Sequence, residues 1–144
     1  MHTTWLNVAE TKKIDAFQAR CLRKLTGIPH SYLSRTTNET VRQTAGAARL
    51  SLTLRRNQLL YLGDLARMPT GNVLRDTVFQ PNSFKIVKPC GPRRRGRPRN
   101  EWAGKLYSEA IIVADGESVL TNMWAPTPAA KSAWQKAVAE HCKT

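Results

Sequence analysis

The stretch ARLSLTLRRNQLLYLGDLARM, residues 48–68, decides the fold class. Leu52, Leu59, Leu62 and Ala66 recur at helical spacing, with Leu54, Tyr61, Leu65 and Met68 on the neighbouring stripe. A period near 3.6 residues carried over about five turns describes an amphipathic helix and not a strand. Arg49, Arg55, Arg56 and Arg67 fall elsewhere on the helix, and Pro69 and Gly71 end it. An apolar stripe this wide has to be covered by other helices, so the chain is expected to be all-α, a small bundle of about four to five helices.

Upstream, Glu10 to Thr26 reads as a helix with Ile14, Phe17, Cys21, Leu22 and Leu25 as its buried side and Gly27 and Pro29 as its stop. Lys12, Lys13, Arg20, Arg23 and Lys24 then make its exposed face positive. Asn38 is the expected N-cap of a short helix carrying Val41 and Ala45 and closed by Gly46. Downstream, Val73 to Phe79 fits a last helical turn or a short strand equally well. Asn100 is the expected cap of a helix running to about Val113, with Trp102, Leu106, Ala110 and Val113 on one face. Thr127 and Pro128 start a final helix that is expected to bury Ala130, Trp134, Ala137 and His141. No internal repeat is present.

Between these helices the composition changes. No acidic residue occurs between Asp76 and Glu101, and Pro81, Pro89, Pro92 and Pro98 oppose regular helix. Gly91 to Arg99, GPRRRGRPR, holds five arginines, two prolines and two glycines, a composition that cannot build a packed core. The expected organisation is a helical body over 1–79, a basic extended arm or linker over 80–100, and a helical segment over 101–144 that packs on the body or on a partner. The 144 residues carry a formal charge of +13, with a pI near 10.4. Such an excess bears on partners and not on fold, and nucleic acid is the leading partner class.

The Gly-Arg-Pro core of the arm has the logic of an AT-hook, a flat extended segment whose guanidiniums enter a narrow minor groove. The same residues also suit phosphates of folded RNA, since arginine-rich segments order on contact with RNA. They equally suit a nuclear import signal or an acidic protein surface. Trp102, close behind the arginines, either anchors the arm to the body or stacks on a base.

Other chemistries lack their motifs. Ten acidic residues are scattered singly, with no clustered carboxylates, nucleophile elbow, phosphate-cradling glycine loop or His-Glu-x-x-His pair. Cys21, Cys90 and Cys142 are too widely spaced for a disulfide framework or a paired zinc ligand set, and Cys142 beside His141 supplies too few ligands. Neither an enzymatic activity nor a cofactor or metal is expected. Nothing approaches the roughly 18 apolar residues of a membrane span, and no signal or transit pattern opens the chain, so an intracellular, nuclear or organellar, non-secreted protein is expected.

Four blocks together resemble a known family. ETKKIDAFQARCLRKLTGIP (10–29), NETV (38–41), RRNQLLYLG followed by ARMP (55–69) and RRGRPRNEW (94–102) are similar in order and spacing to the C-terminal region of LINE-type non-LTR retrotransposon reverse transcriptases. The resemblance covers nearly the whole chain and ends in a tryptophan helix near Trp134 and Val138. It implies thumb and post-palm helices that grip template RNA and target DNA, without the catalytic palm: no Tyr-Ala-Asp-Asp motif occurs, and Val113 to Gly116 falls after the arm. The zinc knuckle and carboxylate nuclease of some relatives are missing too. Asp64 departs from the histidine usual after Leu-Gly, and Lys131-Ser132-Ala133 departs from the charged pattern before Trp134.

The expected protein is therefore a retroelement-derived, non-catalytic RNA-binding structural component of a ribonucleoprotein assembly. Lys12, Lys13, Arg20, Arg23, Lys24, Arg55, Arg56, Lys85, Lys88, Arg93, Arg94, Arg95, Arg97 and Arg99 are the expected contacts. An accessory subunit whose arm docks on acidic protein, and an AT-hook-like DNA binder, are the competing readings.

Overall fold

A computed structural model of the chain describes residues 5–87 and 101–142. All eight elements named over those residues are helices: α1 (Val8–Thr26), α2 (Ser31–Ser34), α3 (Asn38–Thr44), α4 (Leu50–Arg67), α5 (Val73–Asp76), α6 (Trp102–Ala114), α7 (Glu117–Met123) and α8 (Pro128–His141). The all-α class holds. The number of helices exceeds the expected four to five because α2, α5 and α7 are too short to show a period in sequence. The chain forms two compact units, Leu6–Arg55 and Arg56–Thr144 together with the first five residues, and the division between them falls within α4.

In the Leu6–Arg55 unit, α1 starts in a capping box. Asn7 Oδ1 accepts from the Glu10 N–H at 2.9 Å while Glu10 Oε2 accepts from the Asn7 N–H at 2.8 Å. Gly27, at φ 67, closes the helix in the left-handed conformation that glycine adopts without strain. The N-cap of α3 is Thr37 and not Asn38, its hydroxyl accepting from the Thr40 N–H. The first turn of α4 is capped from α1. Asp15 accepts from the Ser51 N–H at 3.0 Å and its hydroxyl at 2.8 Å, and Gln18 accepts from the Leu50 N–H while donating to the Ala48 carbonyl. Backbone donors that a helix start leaves orphaned are thus satisfied by side chains about thirty residues away.

The orientation of α1 differs from expectation. Ala19 and Arg23 are its buried residues, whereas Phe17 is 57% exposed, Leu25 82% exposed and Cys21 exposed. Ala19 is small enough to let a neighbouring helix approach. Arg23 is 7% exposed because its guanidinium satisfies the turn after the helix: it donates to the Pro29 and Thr36 carbonyls, Ser34 Oγ and Asn38 Oδ1 at 2.5–3.2 Å. Hydrogen bonds from a cation to carbonyls around a turn outweigh the burial of an apolar stripe here.

The other unit has an aromatic core. Leu59, Leu62, Leu65 and Ala66 of α4 meet Leu106, Ala110 and Ala114 of α6, Leu120 of α7, and Trp134 and Val138 of α8. Trp124 stands edge-on to Phe79, Phe84 and Trp134 at ring separations of 5.6, 5.6 and 5.9 Å, the geometry aromatic quadrupoles favour. Trp134 Nε1 donates to the Leu59 carbonyl across 3.2 Å, and a Cβ on Gly63 would land in the same indole. The glycine is therefore needed for close approach of α8 to α4, not for a turn. Asp64 ion-pairs with Lys131 at 3.4 Å, so the two departures from the resembled pattern face each other.

After α5 the chain turns back on itself. Phe79 pairs with Ile86 in an isolated antiparallel bridge, with the Gln80 N–H donating to Lys85 and the Val87 N–H to Val78. Residues 80–87 thus form a small hairpin packed through Phe84, and are not part of an extended arm. Both readings of Val73 to Phe79 hold in part, a helical turn followed by a bridge residue. On α6 Ala114 is buried and Val113 half-buried; on α8 Val138 takes the buried place expected of His141, which is exposed near Glu109. Trp102 is half-buried against the core and 6.2 Å from the Tyr61 ring, the anchoring alternative.

Candidate nucleic-acid interface

The cations divide unevenly along the chain. Leu6–Arg55 carries nine Lys and Arg against Glu10, Asp15 and Glu39, a formal +6. Residues 88–100 carry Lys88, Arg93, Arg94, Arg95, Arg97 and Arg99 and no acid, another +6. The remaining 56–87 and 101–144 carry eight against seven, a formal +1. Lys88 and the five arginines lie outside the described residues, and the N-cap of α6 is Glu101 and not Asn100.

On α1, Lys13, Arg20 and Lys24 are exposed and share one edge, within a roughly 40° sector and about 16 Å of axis. Lys12 is also exposed, about 100° around the helix from Lys13. Arg23, expected on this face, is withdrawn into the turn and is no longer part of an exposed surface. Arg55 is half-buried and Arg56 exposed on α4, and Lys85 is exposed on the hairpin of the other unit. Arg35, exposed at the left-handed end of α2, adds a cation that the sequence does not flag.

Neighbouring charges remove other arginines from consideration. Arg42 and Arg49 both contact Glu39 Oε2, at 2.6 and 3.0 Å. Hydrogen bonds first from Arg42 and then from Arg49 hold the Glu39 carboxyl below its ordinary pKa. In the other unit Arg67 and Arg75 line a cavity of about 450 Å³ with Phe84, Trp124, Pro69 and Pro126. Arg67 donates to the Met123 carbonyl and lies 3.5 Å from Asp64; Arg75 donates to the Ser83 carbonyl and lies 3.6 Å from Asp76. Burial lowers the Arg67 pKa. These guanidiniums tie loops to helices, and their charge is answered locally.

Among the described residues no three His, Cys, Asp or Glu side chains gather as a metal site would, and no helix is long and apolar enough to cross a membrane. The chain matches no protein-family model, no curated protein and no solved structure.

Proposed function

We propose that this chain is a non-catalytic RNA-binding structural component of a ribonucleoprotein assembly, such as a ribosome-like particle, descended from the post-palm region of a LINE-type reverse transcriptase. The observation that carries the reading is the partition of charge: +6 on Leu6–Arg55, +6 on 88–100, and +1 on the aromatic-cored remainder. A basic excess confined to two segments is the footprint expected of phosphate contacts, whereas an evenly spread one would only aid solubility. Lys12, Lys13, Arg20 and Lys24 present exposed ammonium and guanidinium groups along one helix, and the arginines of 88–100 supply the remainder. The ancestry rests on the four resembling blocks, and a nuclear or organellar location goes with the RNA.

Counterion release sets the test. The logarithm of affinity for a structured RNA should fall with the logarithm of salt, by about 0.7 to 0.9 per phosphate contact. Replacing Arg93, Arg94, Arg95, Arg97 and Arg99 with alanine should reduce both affinity and slope. A salt-independent affinity, or an unchanged slope in the variant, overturns the reading. Preference for A·T-rich duplex over RNA would favour the AT-hook alternative. Assembly that survives nuclease but needs these arginines would favour docking on protein, and polymerase or nuclease activity in the purified protein would end the non-catalytic assignment.

A further inference from the structure

The outward face of α1 is a stripe of four apolar side chains, of which Phe17, Cys21 and Leu25 are exposed and Ile14 is half-buried. Its opposite face, through Asp15, Ala19 and Arg23, is the one engaged within Leu6–Arg55. Lys13, Arg20 and Lys24 border the stripe along one edge. The acid nearest the stripe, Glu10, has its carboxylate held in the capping box. Between Phe17, Arg20, Cys21 and Lys24 lies a depression of about 240 Å³. That is smaller than small-molecule pockets, which start at about 300 Å³, and it suits one anchoring side chain.

We propose that this face docks an acidic amphipathic helix of a protein partner, its apolar residues on Phe17, Cys21 and Leu25 and its carboxylates along Lys13, Arg20 and Lys24, in competition with RNA for those three cations. Charge complementarity selects the occupant. A second copy of this chain would bring another +6 unit to the interface. Nucleic acid would meet the cations but leave Cys21 and Leu25 without a base to stack on, since stacking needs an aromatic face. A membrane-surface helix carries cations on both flanks of its apolar stripe, whereas here the other flank is Gln18 and Leu22, both half-buried. Anchors spaced three to four residues apart with charges beside them are how helix-in-groove partners are read.

The test uses the full chain and a synthetic peptide of about five helical turns, with leucines on one face and glutamates elsewhere. An isomer of the same composition with its leucines dispersed is the control. The patterned peptide should bind at least about tenfold tighter than the isomer, and Phe17→Ser with Leu25→Ser should cost about tenfold. Both side chains are exposed, so the helical circular dichroism and the RNA affinity of that variant should stay as they were. Arg20→Ala with Lys24→Ala should weaken binding and flatten its salt dependence. Bound peptide should slow thiol labelling at Cys21. Equal binding of the two peptides, or undiminished binding by the serine variant, overturns the proposal. So does stripe-dependent capture by phosphatidylcholine–phosphatidylserine vesicles without peptide binding, or a dimer that the serine variant dissociates.

Discussion

Leu6–Arg55 buries only Ala19 and Val41 among its hydrophobic residues and closes around Arg23 and Arg42, whereas the remainder buries Phe79, Trp124, Trp134 and a set of leucines. The first unit is held by hydrogen bonds from cations and caps, and it leaves charge and apolar surface outside. The second is held by rings and, outside residues 88–100, carries little net charge. Fold and proposed interface are therefore carried by different residues, and substitutions should separate them.

The largest effect is expected in the aromatic unit. Trp134→Ala removes a fully buried indole and its bond to Leu59, and should cost about 3–5 kcal/mol in denaturant unfolding. In the basic unit, Arg23→Ala removes a donor shared by four acceptors, of which the Pro29 carbonyl and Ser34 Oγ keep another, and should cost about 1.5–3 kcal/mol, seen as faster amide exchange in α1 to α3. Equal or greater loss of protection in α6 and α8 would contradict the division. Gly63→Ala improves helix propensity yet forces a methyl into the Trp134 indole, so a net loss of about 1–3 kcal/mol is expected; a stabilised protein would show that α8 can move away. Asp15→Ala uncaps α4 from α1 and should cost about 0.5–2 kcal/mol.

The smallest effects come from pH, at opposite ends of the scale. Glu39 has a depressed carboxyl pKa, so its contribution is present above the unfolded value and is lost as pH falls through the folded one. Tyr107 donates to Glu117 at 2.8 Å, and burial, then that hydrogen bond, push its pKa up to about 12. Its contribution is present below the unfolded value of about 10 and is lost as pH rises through about 12. Acid should therefore loosen the basic unit and alkali the aromatic one. Ultraviolet titration should show one tyrosine ionising late.

Sequence showed the helices because periodicity is a local property: α1, α4, α6 and α8 all stand where the apolar spacing puts them. It missed which face of α1 is buried, because the stripe of Phe17, Cys21 and Leu25 is better patterned than Ala19 and Arg23. What decides the face is a set of carbonyls around residues 29–36 that converge only after folding. The Asn-x-x-Glu signature of the capping box at Asn7 was readable and places the start of α1 before Glu10. The hairpin at 80–87 was hidden because the prolines and glycines of the segment, Pro81 among them, read as linker, while Phe84 finds its place only against Trp124. The proposed interface rests on charge read from the sequence, yet Arg23 shows that a cation in a basic run can be a structural tie.

Amide hydrogen exchange of the full chain, with and without a bound structured RNA, tests the separation of fold from interface most directly. Protection should rise in α1 and in residues 88–100 while α6 to α8 exchange as before. Protection concentrated in α6 to α8, with α1 and 88–100 unchanged, would contradict the account.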